Sequence, residues 1–387
     1  MKKINIFIKK LINLFKIVIF ADYSFTYPPK KKVLLFDDNL EIFLRKYIPV
    51  SNYTILFSRH KKYNFLILIK LLIQFKLSSL NYFNEFINHV KPKIIITFTD
   101  NSQIFYKIKP SHGSKKIFIQ AGYRTATRED VFYHTNFLKK QKSLNFVDYM
   151  FVFNKRIGQE YKKFINGDIK EIGSFRSNFF KISKAKKKYD ILFISVWRDE
   201  LPNHMQTDTV SRNTINTAQT KLLIHLKNYC LKNNRHITIY GKYYNKHESL
   251  KEREFFSKIL QGTKWNFLTN DRMKTYKFCD EAKLIVSTNS TLGYEALGRG
   301  SKVAIFNIMN FDKSTKSKNF CWPYKIEKKG PFWTSTLSQN SCNELIDKLS
   351  NFKKNNWNKN NLKNMKKVLS YNENNIKFSS LIKKLIN

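Results

Sequence analysis

Cysteine is scarce in this chain of 387 residues. Its four cysteines are Cys230, Cys279, Cys321 and Cys342. They are widely spaced, with no CxxC pair and no cluster of cysteine with histidine. The sequence therefore predicts neither a disulfide framework nor a zinc site, and it is typical of a protein from a reducing cytoplasm.

Long apolar runs and targeting signals are missing as well. No uninterrupted apolar stretch reaches the roughly 20 residues of a transmembrane helix, so no segment qualifies as one. Residues 1–20 lack the uninterrupted apolar centre and the small-residue cleavage site of a secretory signal peptide. The chain also shows no internal repeat at the periods typical of solenoid proteins.

Acidic residues are few. The chain has 28 aspartates and glutamates against 71 lysines and arginines, which gives a formal net charge of +43. Lysine predominates and occurs with abundant Asn, Ile, Phe and Tyr, which have A/T-rich codons, so we attribute most of the charge to genome composition. Strongly basic proteins are attracted to anionic lipids, phosphorylated glycolipids, nucleotides or nucleic acids. Because arginines are few and no nucleic-acid-binding module is present, we expect an anionic membrane surface and no nucleic acid as a partner.

The first 31 residues form a separate basic segment. In residues 1–20, five lysines alternate with large apolar residues. This pattern is typical of an amphipathic helix that lies on an anionic membrane. The alternative is a helix packed on the protein's own body, with its lysines in water. We favour the membrane, and expect Tyr27-Pro28-Pro29 to end the segment.

The rest of the chain predicts an α/β fold. Hydrophobic residues make up 42% and aromatic residues 15% of the sequence, which excludes a disordered protein. In the first half, short apolar segments end in turn residues and alternate with helical or irregular stretches, including a helix over 63–80. The predicted strands are 32–37, 53–57, 94–98, 116–120, 149–153 and 169–172. This alternation predicts an open parallel sheet with helices on both faces.

The alternation starts again after a lysine-rich break at 181–188. The strands predicted in the second half are 189–195, 235–241, 265–268, 284–286 and 303–306. We therefore predict one Rossmann-like domain at 32–181 and another at 182–350. A low-complexity stretch and a last helix follow at 351–387. We expect the two domains to face a central cleft. Ligands would bind in this cleft, because open parallel sheets bind them at the carboxyl ends of their strands.

The most informative stretch is 283–307, KLIVSTNSTLGYEALGRGSKVAIFN. Its two apolar runs flank a helix-compatible segment, which predicts a strand, a turn, a helix and a strand. The turn includes Ser290 and Thr291, whose hydroxyls join the free N–H groups of a helix start, where an anion binds well. Simple capping of the helix is the alternative for both residues. Glu295 lies one turn further on, where a carboxylate can accept hydrogen bonds from a ribose diol.

Three segments together resemble a known family. TFTDNSQIFY (97–106), KIFIQAGYR (116–124) and VSTNSTLGYEALGRGSKVAIFN (286–307) are similar to motifs of bacterial surface carbohydrate or O-antigen biosynthesis proteins. That family resembles GT-B glycosyltransferases and, more distantly, teichoic-acid glycerophosphotransferases. The resemblance implies a GT-B fold of two Rossmann-like domains and a last helix that crosses back to the first domain. It further implies transfer of a sugar from a nucleotide-sugar donor to a lipid-linked O-antigen, lipopolysaccharide or capsule acceptor, at the inner face of the cytoplasmic membrane.

Under this resemblance the second domain binds the donor. The residues expected to contact the nucleotide sugar are Arg198, Gly241, Lys242, Ser290, Thr291 and Glu295. Ser290 and Thr291 are expected at the phosphates and Glu295 at the ribose. Arg198 follows the first strand of this domain and suits the diphosphate, with a surface ion pair to Asp199 or Glu200 as the alternative.

The first domain then binds the acceptor. Asp100 ends a strand at the expected cleft and is our first candidate for the general base, with a helix N-cap as its alternative. Asn101 is its neighbour, and Gln120, Gly122 and Arg124 end the adjacent strand. These four residues are expected to contact the acceptor, and Arg124 suits an acceptor phosphate.

We expect no metal and no other cofactor. GT-B transferases usually work without metal, and Asp37-Asp38-Asn39 is interpreted as a turn and helix cap. His112 and His204 are alternative bases. Other functions stay open: a polyol-phosphate transferase or a nucleotide-sugar epimerase among enzymes, and a polyanion-binding or nucleic-acid-binding protein or an inactive donor-binding scaffold outside them.

Overall fold

The computed structural model describes 21–39, 41–59, 62–124, 139–199, 212–288, 290–308, 321–324, 326–352, 357 and 368–387. Residues 1–20 of the predicted membrane segment, His204 and most of the low-complexity stretch lie outside these residues. Across the described ranges, no helix combines the length and the apolar content that crossing a lipid bilayer requires.

A six-stranded parallel sheet forms the first half. The strands of this half are β1 Asp22–Ser24, β2 Val33–Phe36, β3 Tyr53–Leu56, β4 Lys62–Asn64, β5 Ile94–Thr97, β6 Lys115–Ile119, β7 Phe146–Val152 and β8 Asn166–Glu171. The sheet order is β3-β2-β5-β6-β7-β8, and all neighbours are parallel. β1 and β4 pair separately, also in parallel. The helices are α1 Glu41–Leu44, α2 Phe65–Ile73, α3 Ser79–Val90, α4 Gln103–Lys107, α5 Lys155–Lys162 and α6 Phe175–Phe179.

The second half has the same design. Its strands are β9 Tyr189–Ile194, β10 Ile237–Tyr240, β11 Trp265–Leu268, β12 Ala282–Ser287, β13 Val303–Phe306 and β14 Trp333–Thr334. They form a parallel sheet in the order β11-β10-β9-β12-β13-β14. The helices are α7 Arg212–Lys232, α8 Lys246–Leu260, α9 Thr275–Asp280, α10 Thr291–Gly298, α11 Gln339–Asn351 and α12 Ile376–Ile386.

The predicted strands are present because the sheets are covered on both faces. Every residue of β2, β5, β10 and β13 is buried. Parallel strands in this position consist of continuous apolar residues, which is the pattern on which the predictions rested. The two-residue β14 and the β1–β4 pair were not predicted, because each is too short to leave such a pattern.

The helix predicted over 63–80 is wrong in extent. The first helix of this region, α2, ends at Ile73, and α3 begins at Ser79. Ser78 caps α3, since its side chain accepts a hydrogen bond from the Asn81 N–H group at 3.2 Å. A serine in this position starts a new helix, so the apolar run is divided between two elements.

The last helix returns to the first half, as the GT-B resemblance implied. Phe378 of α12 contacts the rings of Phe151 and Phe175, with centroids 5.3 and 4.9 Å away. Gly173 also approaches this carboxyl-terminal segment, because a Cβ atom there would lie on the carbonyl oxygen of Ser370. The two halves are therefore held together by packing as well as by the chain between them.

Candidate functional site

A cavity of about 940 Å³ lies between the two sheets. Its lining residues follow the carboxyl ends of strands from both halves, where parallel α/β sheets bind ligands. The first half contributes Asp38, Asn39, Phe43, Arg59, Phe98, Thr99, Asn101, Ala121, Arg124 and Arg176. The second half contributes Ile194, Ser195, Tyr240, Gly241, Lys242, Tyr244, Asn270, Arg272, Thr275, Tyr276, Ser290, Thr291, Leu292 and Glu295.

The amino-terminal end of α10 forms part of the wall. Ser290, Thr291 and Leu292 all line the cavity. The first N–H groups of an α-helix have no acceptor within the helix, and the Ser290 side chain makes no capping hydrogen bond. Ser290 thus occupies the N-cap position of α10 but leaves the N–H groups of the first turn without a side-chain cap. Free donors and the helix dipole make this part of the wall suitable for an anion.

Thr291 also joins the two halves. Its Oγ1 accepts a hydrogen bond from the Tyr123 N–H group at 3.0 Å. The rings of Tyr123 and Tyr294 stack beside it, with centroids 3.8 Å apart. A hydroxyl that accepts one hydrogen bond still has its own hydrogen to donate, so Thr291 remains able to bind a ligand oxygen.

Arg176 brings a positive charge to the cavity wall. Its Nη2 donates to the Ala121 carbonyl at 3.2 Å. Its buried Nε has no hydrogen-bond partner among the described residues. Buried donors without partners are rare in proteins, and although this nitrogen is enclosed, the Arg176 side chain lines the cavity and brings its positive charge there.

Basic side chains predominate around the cavity. They are Arg59, Arg124, Arg176, Lys242 and Arg272, against the acidic Asp38 and Glu295. Two of the arginines are already paired: Arg59 Nε lies 2.8 Å from Asp37 Oδ2, and Arg124 pairs with Asp100. The remaining positive charge attracts an anion to the cavity.

Glu295 lies where the two halves meet. Its Oε1 accepts a hydrogen bond from Ser174 Oγ at 2.5 Å, and the Tyr276 hydroxyl donates to the same carboxylate. Burial raises the pKa of Glu295 above its usual value, although Arg176 and both hydrogen bonds act in the opposite direction. These contacts hold the carboxylate in place at the wall and leave it capacity to accept from a ligand hydroxyl.

Residues 117–386 match the model of a family described as "putative O-antigen biosynthesis protein". The match includes most of the chain. The chain belongs to this family. The resemblance inferred from the three sequence motifs is thereby confirmed, although no curated protein sequence matches the chain.

Solved GT-B structures resemble this O-antigen biosynthesis family member along most of its length. The wall teichoic acid polymerase TagF soaked with CDPG is 12% identical, with a TM-score of 0.51 over 99% of this chain and 98% of that chain. Another TagF structure is 13% identical, with a TM-score of 0.52 over 92% and 88%. S. aureus MnaA with UDP is 12% identical, with a TM-score of 0.52 over 92% and 97%. Likenesses at these identities show the fold, and the predicted GT-B fold is confirmed.

Most of the predicted site residues line the cavity of this family member. They are Asn101, Arg124, Gly241, Lys242, Ser290, Thr291 and Glu295. They include residues from both halves, as expected for a site with a donor side and an acceptor side. Their individual roles stay predictions.

Asp100 corrects the prediction of the general base. Its side chain has no exposed surface, and its oxygens accept hydrogen bonds from Arg124, the Tyr161 hydroxyl and the Ala121 N–H group. A carboxylate enclosed in this way cannot reach an acceptor hydroxyl in the cavity. The N-cap alternative is wrong too, since Ser102 precedes α4. Asp100 instead orients Arg124.

Gln120 and Gly122 do not line the cavity either. Gln120 Nε2 donates to the Gly122 carbonyl at 2.8 Å, and its Oε1 accepts from the Phe153 N–H group at 2.9 Å. A Cβ atom at Gly122 would come within 3.3 Å of Thr291 Oγ1. Both residues therefore shape the loop that contacts α10, and the prediction that they bind the acceptor is not supported.

Arg198 is the other exception. Arg198 is not among the residues that line the cavity. Its backbone N–H group donates a hydrogen bond to Asn216 Oδ1 at 3.2 Å. Asp199, one of its two alternative partners, also contacts Lys251 at 3.1 Å, and the other, Glu200, lies outside the described residues. The structure thus gives no support for a contact between Arg198 and a donor diphosphate.

Arg176 and Arg272 are cavity residues that the sequence analysis missed. Arg176 follows β8 by five residues and Arg272 follows β11 by four. The rule that ligands lie beyond strand carboxyl ends, applied to these two strands, would have identified them. In a chain with 71 basic residues, neither arginine is conspicuous on its own.

No group of three or more histidine, cysteine, aspartate or glutamate side chains is arranged for a metal ion in the part of the chain described above. Metal-independent chemistry stays a prediction. His112 is not at the cavity, and its ring lies 2.8 Å from Ser114 Oγ.

Proposed function

We propose that this protein transfers a sugar from a nucleotide-sugar donor to a lipid-linked surface polysaccharide such as O-antigen, lipopolysaccharide or capsule. It does so as a peripheral protein on the inner face of the cytoplasmic membrane. Family membership supports the polysaccharide, and the GT-B fold supports the reaction type. The observation that carries the proposal is the open start of α10, which lines the same basic cavity between two sheets as Arg176.

The donor diphosphate occupies the wall formed by the second half. The N–H groups of Thr291 and Leu292 and the Ser290 hydroxyl donate to its oxygens, and Arg176 of the first half neutralises part of its charge. These groups also stabilise the nucleotide as it leaves, which is the main electrostatic requirement of the reaction. Glu295 accepts hydrogen bonds from the ribose hydroxyls.

Asp38 is the base in this proposal, in place of Asp100. It lines the cavity from the first half and is only partly buried. A carboxylate there is able to take a proton from an acceptor hydroxyl. We expect Asp38→Asn to abolish turnover and to leave donor binding unchanged, as measured by product formation and by donor-induced thermal stabilisation of the same preparation. Normal turnover in this variant would contradict the assignment.

Donor binding is tested by thermal-shift screening with UDP-, GDP-, CDP- and CMP-sugars. A ligand at about 100 times its Kd stabilises the folded state by about 2.7 kcal/mol, which raises the melting temperature. We expect one nucleotide class to stabilise the protein, and Arg176→Ala and Arg272→Ala to reduce the ligand-induced shift by at least half. Arg253→Ala is the matched control, since Arg253 is an exposed arginine of α8 away from the cavity.

The absence of any ligand-induced shift, or equal shifts in all variants, would overturn the donor site. Because each variant is compared with and without ligand, a change in its own stability does not affect the result.

Polyol-phosphate transfer is the second candidate, and the likeness to TagF over nearly the whole chain favours it. The released nucleotide distinguishes the two reactions. Sugar transfer from a nucleoside diphosphate sugar releases the nucleoside diphosphate, whereas polyol-phosphate transfer from a cytidine diphosphate carrier releases CMP. A CMP-sugar would also release CMP, but only polyol-phosphate transfer adds a phosphodiester to the acceptor. An epimerase would convert the donor without any acceptor. We expect a nucleoside diphosphate, released only with acceptor present and equally fast in EDTA.

A further inference from the structure

The outer face of α2 is apolar although it is exposed. The inner face packs into the core through Ile67 and Leu71, which are buried. The outer face consists of Phe65, Ile69, Leu72 and Ile73, all exposed. Successive members of this set are four, three and one residues apart. Because a helix has 3.6 residues per turn, these intervals place them along one side of the helix. A surface helix ordinarily carries polar residues there, so this face is made to contact something apolar.

The apolar surface continues beyond the helix. All residues from Leu72 to Ser79 are exposed, including Phe75 and Leu77. Phe75 is 97% exposed, and its φ of +54° holds it in the left-handed region at the end of the helix. On the other side, Phe25 of the β1 region contacts the Phe65 ring, with centroids 5.2 Å apart. We call Phe25, Phe65, Ile69, Leu72, Ile73, Phe75 and Leu77 the α2 patch.

The charge around the α2 patch is mostly positive, although Asp22 of β1 is exposed and lies opposite Lys62 in the β1–β4 pair. Between Glu41 and Glu85 the chain has no acidic residue and seven basic ones. Lys62 and Lys76 are exposed at the two ends of α2. Lys70 is exposed as well and pairs with Glu85 at 2.5 Å. Large apolar side chains with lysines at the rim match the interface of an anionic bilayer, where the apolar groups enter the acyl region and the ammonium groups meet phosphates.

The position of the α2 patch connects it both to the cavity and to the start of the chain. Arg59 lines the cavity, and Lys62 follows it by three residues, which span at most about 11 Å. β1 pairs with β4, directly before α2. Residues 1–20 contain five lysines and no acidic residue, and in the sequence they come almost directly before β1. In the sequence, the first basic, apolar stretch thus precedes the strand that pairs with β4, and the second begins directly after β4.

We propose that the α2 patch docks the protein on an anionic phospholipid bilayer and so brings the cavity to the membrane surface. The inference rests on the proposed function in one respect, the biological role of docking, which is to give the cavity access to a lipid-linked acceptor. Membrane binding itself requires neither donor nor turnover.

The test is co-sedimentation of the full-length protein with vesicles of phosphatidylglycerol and phosphatidylcholine, compared with vesicles of phosphatidylcholine alone. We expect binding to the anionic vesicles, and a partition coefficient at least about tenfold lower for Leu72→Glu/Phe75→Glu. The matched control is Ile224→Glu/Leu231→Glu, which changes two exposed apolar residues of α7 in the second half. All variants retain residues 1–20, so any loss reports on the α2 patch.

Equal vesicle binding by Leu72→Glu/Phe75→Glu and the wild type would overturn the proposal. A wild-type dimer in light scattering that becomes monomeric in this variant would also overturn it, because the patch would then bind a second copy. Unchanged melting temperatures exclude misfolding, since both substituted residues are exposed. The donor-induced thermal shift is measured on the same variant: its retention with loss of vesicle binding separates this proposal from the proposed function.

Discussion

At the scale of single residues, buried cations serve two purposes in this protein. Arg176 lines the cavity, where its positive charge suits an anionic ligand. Lys116 is satisfied within the first half, since its Nζ donates to the carbonyls of Tyr106 and Ile108 at 2.9 and 2.8 Å. Burial lowers the pKa of Lys116 to about 7, against a smaller opposite effect of Asp148. Lys116 therefore titrates near neutrality.

The lowered pKa of Lys116 predicts how stability depends on pH. The unfolded chain holds this proton up to about pH 10.5, whereas the folded protein releases it near pH 7. Between these values the unfolded state binds more protons, so the free energy of unfolding rises with pH by up to ~1.4 kcal/mol per pH unit. Urea unfolding at several pH values between about 7 and 9 measures this slope.

Lys116→Met should remove the contribution of this proton, giving a flatter pH dependence than the wild type. Lys115→Met is the control, because Lys115 is half-exposed and pairs with Asp148 at 2.9 Å. It should retain the wild-type slope. Identical slopes in all three proteins would show that Lys116 does not titrate in this range.

At the scale of elements, one arginine connects three parts of the fold. Arg299 follows α10, and its Nη2 contacts Asp280 Oδ2 of α9 at 2.6 Å, with both side chains almost completely buried. Its guanidinium also donates to the carbonyls of Ser177, Phe180 and Lys181, which lead from the first half to the second. The Tyr371 ring of the carboxyl-terminal segment lies 5.1 Å from it.

Removing this arginine should be strongly destabilising. Arg299→Ala leaves Asp280 as an unpaired buried carboxylate, for which we expect a loss of about 3–5 kcal/mol in urea unfolding. Arg299→Lys should also be destabilised, because one ammonium cannot make the same set of planar contacts. The exposed pair of Lys329 and Glu344 provides the control: Lys329→Ala should have no measurable effect. A similarly small effect of Arg299→Ala would contradict the anchoring role.

Elements were more predictable from the sequence than residue contacts. Strands β11 and β13 were predicted with their observed limits. For β13 the reason is burial on both faces, which requires a continuous apolar run, whereas β11 lies at the sheet edge and is only partly buried. The start of α10 was predicted from its serine and threonine. Asp100 was assigned wrongly, because its partner Tyr161 is 61 residues away and no local pattern indicates that contact. Arg176 was missed for the same reason, since its position depends on packing between the halves.

At the scale of the whole molecule, the two sheets place their strand carboxyl ends around one cavity. Neither half makes a complete site alone. The anion-binding start of α10 belongs to the second half, whereas Arg176 and Asp38 belong to the first. The contact of Thr291 with Tyr123 holds the two halves together at this point. A nucleotide diphosphate between them is the central claim of this account.

The most direct measurement is a crystal structure with the nucleotide diphosphate that gives the largest thermal shift. We predict phosphate oxygens about 3 Å from the N–H groups of Thr291 and Leu292, with the Arg176 guanidinium also within hydrogen-bond distance of the diphosphate. A nucleotide bound outside the cavity, or bound in it with its phosphates away from α10, would contradict the account.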